Sequence, residues 1–226
     1  QMREVDRLMV EEYSVSLVQM MENAGRNLAE LSRRMLRGLT GRRICVIAGA
    51  GNNGGGALAA ARHAANRGAD VNVVLATDAS GLSAMPAQQL DALRATGIAL
   101  LPSGAALPAA NLYVDGIVGY SLRGALRGRA RDLAASLNAA RAPILSLDVP
   151  TGLDVDSGEA DPAAVRAAAT MTLALPKPGL LIPSARPFVG QLYVADISVP
   201  AALYARLGLA IPALFSTDTL LRLEVR

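Results

Sequence analysis

The strongest pattern in this 226-residue sequence lies at residues 43–62, which read RICVIAGAGNNGGGALAAAR. The apolar run at 44–48 is short and partly β-branched, which predicts a strand buried on both faces of a sheet. Five glycines and two asparagines occupy seven of the eight positions 49–56, and an alanine-rich segment with high helix propensity follows. A strand, a glycine loop and a helix together present backbone N–H groups to an anion. We therefore expect this stretch to bind a ligand and not to form a plain turn.

Apolar runs and helical patterns alternate along the rest of the chain. Further strands are predicted near residues 70–76, 98–101, 112–116, 143–149, 170–175 and 191–197. Helices are predicted over residues 1–12, 14–39, 56–67, 86–95 and 127–141. This alternation is typical of βαβ units, and it predicts one α/β domain with a central, mostly parallel sheet of about seven strands. The two N-terminal helices are expected to pack on that sheet, and residues 201–226 to form a short helix and then a loose tail.

The composition excludes several classes of protein. With 52% hydrophobic and 18% charged residues, the chain is expected to be globular and not disordered. It has neither an apolar run long enough to span a membrane nor the apolar core of a secretory signal, so we expect a cytoplasmic protein without a membrane partner. Five Tyr, two Phe and no Trp argue against a nucleic-acid partner. A single Cys and a single His exclude a structural zinc site.

Polar side chains follow three of the predicted strands at their carboxyl ends. They are Asn52 and Asn53 after the first strand, Asp115 at the end of the fourth, and Asp148 at the end of the fifth, with Thr151 shortly after it. Ligands of open α/β sheets bind beyond these strand ends, so the side chains converge if the strands are neighbours. Amide, carboxylate and hydroxyl oxygens suit an alkali or alkaline-earth cation. The alternative is that each group caps a helix or a turn.

The glycine stretch also fits the dinucleotide-binding pattern G-x-G-x-x-G over residues 49–54. Asp78 follows the second predicted strand, where an acidic residue binds the ribose of the cofactor in that class of protein. An NAD(P)-dependent oxidoreductase is therefore an open alternative. His63, on the alanine-rich helix, is interpreted as structural.

Five short motifs make the sequence resemble one known family. They are MENAG at 21–25, GAGNNGG at 49–55, VDGIVG at 114–119, DVPTGL at 148–153 and PKPG at 176–179. They occur in the order found in the YjeF N-terminal domain family, the NAD(P)H-hydrate epimerases. The resemblance implies a Rossmann-like three-layer αβα sandwich for residues 1–200. Bacterial members are often fused to a hydrate dehydratase, which implies that residues 201–226 begin a linker to such a domain.

The resemblance also implies which residues form the site. Asn53, Asp115 and Thr151 match the potassium ligands of the family, with Thr where Ser is usual. Asp148 matches a substrate-binding carboxylate and is our candidate for proton transfer. The positions that match the substrate-binding loops are Asn52, Asn53, Gly54, Gly55, Gly56, Gly119, Tyr120, Ser121, Leu122, Arg123, Gly124 and Ala125.

The implied activity is the interconversion of the R and S epimers of hydrated NADH and NADPH, with potassium as the cofactor. The implied partners are the hydrated substrate, a second copy of the chain in a homodimer, and a fused or separate hydrate dehydratase. The sequence departs from the family at Gly56 and Ala57, where Asp and then Gly are usual. A nucleotide-ligand-binding or scaffolding member of the same family without catalysis is therefore the second interpretation, and the oxidoreductase is the third.

Overall fold

The computed structural model describes residues 2–122 and 124–224, and its centre is one sheet of eight strands. The strands are β1 (Arg43–Ala48), β2 (Asp70–Leu75), β3 (Ala99–Leu101), β4 (Leu112–Gly116), β5 (Ile144–Leu147), β6 (Ala169–Leu173), β7 (Gln191–Ala195) and β8 (Leu220–Leu223). Their order is β3-β2-β1-β4-β5-β6-β7-β8, and only the β7–β8 pair is antiparallel. From β1 the sheet extends to one side through β2 and β3 and to the other side through β4 to β8. The strand order therefore reverses between β1 and β4, and α/β sheets form a ligand-binding crevice at such a point.

Helices cover both faces of this sheet. They are α1 (Met2–Glu11), α2 (Leu17–Leu36), α3 (Asn52–Ala65), α4 (Ala84–Arg94), α5 (Gly128–Ala139) and the short α6 (Pro178–Leu181), α7 (Arg186–Val189) and α8 (Ala201–Arg206). In β1, Val46 faces the core beneath α2, α3 and α4, whereas Cys45 and Ile47 face the core beneath α5. The predicted Rossmann-like three-layer αβα sandwich is therefore confirmed.

The two N-terminal helices pack as one corner of the domain. Val5, Leu8 and Met9 of α1 are buried against α2, α8 and the segments that follow β6 and β7. The motif at 21–25 does not interrupt α2, which runs unbroken from its Ser16 N-cap. Gly25 allows α2 to approach α3, because a Cβ there would lie 2.6 Å from the Cβ of Ala59.

The glycine stretch after β1 is helical earlier than predicted. Gly51 is the N-cap of α3, so residues 52–56 form the first turns of the helix and the predicted start near residue 56 is wrong. Glycine has poor intrinsic helix propensity, but close packing overrides that preference here. A Cβ at Gly54 would lie only 2.0 Å from the carbonyl oxygen of Gly49.

The C-terminal residues add the strand that the sequence did not predict. β8 pairs with β7, and Leu220 is buried in the core beneath α2. Thr219 donates a hydrogen bond to Asn27 at 2.7 Å, and Arg34 forms an ion pair with Asp218. The expectation of a loose tail is therefore wrong for residues 218–223. That a linker begins after the domain stays a prediction.

None of the helices in the described ranges is long and apolar enough to cross a membrane.

Candidate functional site

A cavity of about 310 Å³ opens where the chain changes direction between β1 and β4. Its floor is formed by residues that follow β1, β4 and β5, and α1 and α2 close it on the other side. The first turn of α3 lines the cavity with Asn52 and Asn53. N–H groups in the first turn of a helix have no intrahelical partner, and the helix dipole adds positive potential there. This wall of the cavity therefore favours an anionic group.

The predicted substrate-binding residues divide into two groups in the structure. The residues that line the cavity are Asn52, Asn53, Gly56, Gly119, Tyr120, Ser121 and Asp148. Gly54 and Gly55 pack inside the fold instead, against Gly49 and Met21 respectively. Leu122 packs on the core beneath α5, Gly124 and Ala125 are exposed, and Arg123 lies outside the described residues. That all these residues bind substrate stays a prediction.

Asp115 and Thr151, two of the three predicted potassium ligands, are in direct contact. The Thr151 hydroxyl donates to Asp115 Oδ1 at 2.7 Å, and the Thr151 N–H donates to Oδ2 at 2.9 Å. The Ser146 hydroxyl and the Ile117 N–H donate as well, at 2.8 and 3.3 Å. Asp115 is fully buried, and burial raises the pKa of its carboxyl above the ordinary value. These four donors are neutral, so a cation beside Asp115 would supply the countercharge that they do not.

Asn53, the third predicted ligand, projects from α3 toward the loop that follows Asp115. A Cβ at Gly119 would lie 3.1 Å from Asn53 Oδ1 and 3.0 Å from Asp148 Oδ2, so both side chains lie close to this glycine. Within the described ranges, the buried Asn53 Nδ2 has no hydrogen-bond partner. The N–H of Val118, in the same loop, donates to the Thr151 hydroxyl at 3.1 Å. Asn53 and Thr151 therefore contact one loop, and a 180° flip of the amide would present an oxygen in place of the unpaired nitrogen.

Asp148 forms a buried ion pair with Lys177, which the sequence analysis did not assign to the site. The exposed fractions of these residues are 3% and 4%. Lys177 also donates to the Thr172 hydroxyl at 2.9 Å and to the Leu173 carbonyl at 3.0 Å. The backbone N–H of Tyr120 donates to Asp148 Oδ2 at 3.1 Å. Lys177 is the only lysine of the chain and lies in the PKPG motif, so the sequence did hold a signal for it.

Asp6, from α1, is a second carboxyl group on the cavity wall. The Tyr120 hydroxyl donates to Asp6 Oδ2 at 2.5 Å. Burial raises the pKa of Asp6, and the negative charge of Asp148 raises it further. Sequence reasoning missed this residue because α1 also carries exposed acidic residues, and nothing in the sequence separates Asp6 from them.

Asp78, from the oxidoreductase alternative, and His63, interpreted as structural, both lie away from the cavity. Asp78, which a dinucleotide site would need beside the ribose, accepts a hydrogen bond from Ser103 at 2.7 Å and does not line the cavity. His63 lies 3.1 Å from Glu22 through its Nε2, among polar side chains of α2 and α3. Burial lowers the pKa of His63, in keeping with a structural residue.

Comparisons with known proteins agree on one family. A sequence model of the family described as YjeF-related protein N-terminus matches residues 17–179. A protein of Dehalogenimonas lykanthroporepellens named NAD(P)H-hydrate epimerase is 46% identical over 92% of this chain and 84% of its own length. A protein of Truepera radiovictrix with the same name is 38% identical over 92% of each chain.

A longer relative and a solved structure extend this agreement. The bifunctional NAD(P)H-hydrate repair enzyme of Moorella thermoacetica is 35% identical over 91% of this chain, which spans only 41% of that relative. A crystal structure of a yeast protein superimposes with a TM-score of 0.82 and 28% identity, and the match covers 98% of this chain and 96% of the yeast chain. The shared fold therefore extends over nearly the whole chain.

Proposed function

Because this chain belongs to the family of YjeF-related protein N-termini, we propose that it is an NAD(P)H-hydrate epimerase. In this proposal it interconverts the R and S epimers of hydrated NADH and NADPH and so repairs damaged nicotinamide nucleotides. The relatives that carry this name match it over most of their own length. The structural observation that carries the proposal is Asp148, which lines the cavity and forms a buried ion pair with Lys177 behind it.

The reaction needs a group that moves protons beside the nicotinamide ring. A hydrated reduced nicotinamide carries a hydroxyl group on a carbon next to the ring nitrogen, and inversion requires water to leave one face and return on the other. A carboxyl group at that carbon can protonate the leaving oxygen or deprotonate the incoming water. Asp148 is held in place for this task by Lys177 and by the Tyr120 N–H.

The start of α3 is the proposed site for the substrate phosphates. Gly51, Asn52 and Asn53 line the cavity with the N-terminus of the helix, where unpaired N–H groups and the helix dipole bind phosphate well. With the phosphates bound there, the nicotinamide ring would extend along the cavity toward Asp148.

Asn53, Asp115 and Thr151 are the residues that would hold potassium. Their oxygens are of the kind that alkali cations prefer, and Asp115 is buried among neutral donors. Potassium, when bound, would neutralise Asp115 and fix the loop of residues 116–119 beside the substrate.

The partners and the location are part of the same proposal. A hydrate dehydratase, fused or separate, is the proposed functional partner, and the bifunctional relative of Moorella thermoacetica supports it. A homodimer is a further proposal. A cytoplasmic location is supported by Cys45, a buried free thiol.

The experiment that tests the function is direct. Purified protein is mixed with each separated hydrate epimer, and the appearance of the other epimer is followed against a sample without protein. We expect faster interconversion with the protein present. Hydride transfer from a hydroxy acid to NAD or NADP, in a separate assay, would instead favour the oxidoreductase.

One observation favours a second candidate, a family member that binds the nucleotide ligand without catalysis. Gly56 lines the cavity and contributes no side chain, at the position where the family usually has an Asp. Stabilisation by NADP, NADPH, the hydrate or ADP-ribose in a melting experiment, with no interconversion of the epimers, would support this candidate.

A further inference from the structure

Two carboxyl groups face the cavity, and one residue connects them. The Tyr120 backbone N–H donates to Asp148 Oδ2 at 3.1 Å, and its hydroxyl donates to Asp6 Oδ2 at 2.5 Å. Asp148 follows β5 on the floor of the cavity, whereas Asp6 belongs to α1, which closes the cavity from the other side. One carboxyl group is therefore bound to the backbone of Tyr120 and the other to its hydroxyl, and the two face a ligand from different sides of the cavity.

The surroundings of the two carboxyl groups differ in charge. Asp148 is paired with the ammonium group of Lys177, which stabilises a negative carboxylate. Asp6 instead accepts a hydrogen bond from the neutral phenol of Tyr120. The pKa of Asp6 is raised on balance, because burial and the nearby charge of Asp148 outweigh the Tyr120 hydrogen bond and the charge of Lys177, which lower it. Pairs of carboxyl groups in contrasting surroundings commonly divide the acid and base roles of a reaction between them.

We propose that Asp6 is a second acid–base residue of this site, which donates a proton to the hydroxyl that leaves the substrate while Asp148 accepts one from the water that returns. This inference rests on the proposed epimerase function. It assigns one carboxyl group to each face of the reacting carbon, so that no single group has to reach both faces.

The proton and electron balance closes over two steps. In the first, the acid form of Asp6 transfers its proton to the hydroxyl oxygen, the C–O bond breaks, and the lone pair of the ring nitrogen forms a C=N bond as water leaves. In the second, water adds to the opposite face of that carbon, the C=N electrons return to nitrogen, and Asp148 takes the proton that the water loses. One proton has then passed from Asp6 to Asp148, and exchange with solvent restores both groups.

The decisive experiment compares epimer interconversion by the parent protein and Asp6→Asn. We expect kcat to fall about 100-fold or more, in the range typical of a lost general acid, with a KM close to that of the parent. The matched control is Glu4→Gln, which removes one charge from an exposed residue of the same helix and should leave kcat unchanged. Melting curves of the variants establish that they are folded.

The pH profile separates an acid from a residue that only supports the fold. For the epimer whose hydroxyl faces Asp6, Asp6 must carry a proton. The parent kcat/KM for that epimer should therefore fall as pH rises through the Asp6 pKa, and Asp6→Asn should lack this limb. Tyr120→Phe removes a hydrogen bond that favours the carboxylate, so the limb should move to higher pH. This second variant decides the matter if Asp6→Asn does not fold.

The possible failures are distinguishable. A parent protein that does not interconvert the epimers contradicts the proposed function itself. An active parent, with Asp6→Asn within about threefold of it and the same pH profile, overturns the role of Asp6 alone, since a lost general acid costs about 100-fold or more.

Discussion

Asp115 holds together the segments at the floor of the cavity by accepting their hydrogen bonds. Its two oxygens accept hydrogen bonds from Ile117, Ser146 and Thr151, which belong to three separate segments around β4 and β5. Burial raises the pKa of this carboxyl, and the side chains that donate to it, Ser146 and Thr151, carry no charge. A potassium ion bound beside Asp115 should therefore stabilise the protein.

We expect the parent protein to melt at a higher temperature in potassium than in lithium chloride. A ligand bound only by the native state adds about 2.7 kcal/mol at a hundred times its Kd. Asp115→Asn should abolish the difference between the two salts, because the countercharge is lost. Asp132→Asn, an exposed acid on α5, should keep it. Equal melting of the parent in both salts would contradict the site.

Replacing Gly56 tests whether the absence of the Asp that is usual at this position in the family limits the activity. Gly56 lies inside α3 without a positive φ, so a side chain meets no backbone strain there. Its Cβ would lie 3.0 Å from Leu147 Cδ2, which requires a small shift of that leucine. Gly56→Asp should raise hydrate turnover about 5- to 150-fold, as expected for one recovered hydrogen bond of about 1–3 kcal/mol.

Gly56→Ala is the matched control, because it adds the same Cβ without a carboxylate. Turnover by Gly56→Asp no higher than by Gly56→Ala would show that the carboxylate contributes nothing.

At the scale of elements, the approach of α2 to α3 positions the wall of the cavity. Both helices contribute lining residues, and Gly25 sets the distance between them. In an exposed helix, replacing Gly by Ala stabilises by about 1 kcal/mol. Here the new Cβ would lie 2.6 Å from Ala59 Cβ and 2.8 Å from the Ala60 backbone nitrogen.

Gly25→Ala should therefore destabilise the protein, by about 1–3 kcal/mol as is usual for an overpacked core. Urea denaturation measures this effect as a lower midpoint. Arg26→Ala, at an exposed position of the same helix, should change the midpoint little. A higher midpoint for Gly25→Ala would mean that helix propensity outweighs the contact.

At the scale of the whole molecule, β8 completes the sheet and ties the C-terminal residues to α2. A chain that ends at residue 217 would lose Leu220 from the core, the Arg34–Asp218 ion pair and the Thr219–Asn27 hydrogen bond. We expect this shortened chain to have a clearly lower urea midpoint than a chain that ends at Glu224. Equal midpoints would mean that these residues are a linker and not part of the domain.

The sequence predicts the parts of this molecule that follow local patterns. Apolar runs identify β1 to β7, and polar alternation is absent where a strand is buried on both faces, as in β1, β4 and β5. β8 is short and stands apart from the βαβ alternation, so local pattern does not reveal it. The early start of α3 was missed for a different reason, since the close packing that stabilises Gly54 to Gly56 in a helix is tertiary.

Some residues of the site can be predicted from local sequence patterns, whereas others depend on long-range contacts. Asp115, Asp148 and Thr151 are predictable because they stand at strand ends that parallel pairing brings to one edge. The contact of Asp6 with Tyr120 joins residues 114 positions apart, and it depends on how α1 folds back over the sheet. Sequence spacing does not predict a contact between residues so far apart in the chain, so only the structure identifies Asp6 as the second carboxyl group.

The most direct test of the account is the rate of hydrate-epimer interconversion by the parent protein and by Asp148→Asn. Asn is the suitable replacement because Asp148 has a φ of 68°, a left-handed conformation that Asn also tolerates. We expect the parent to accelerate interconversion and Asp148→Asn, shown by its melting curve to be folded, to be at least about 100-fold slower. A folded Asp148→Asn variant with the parental rate would contradict it.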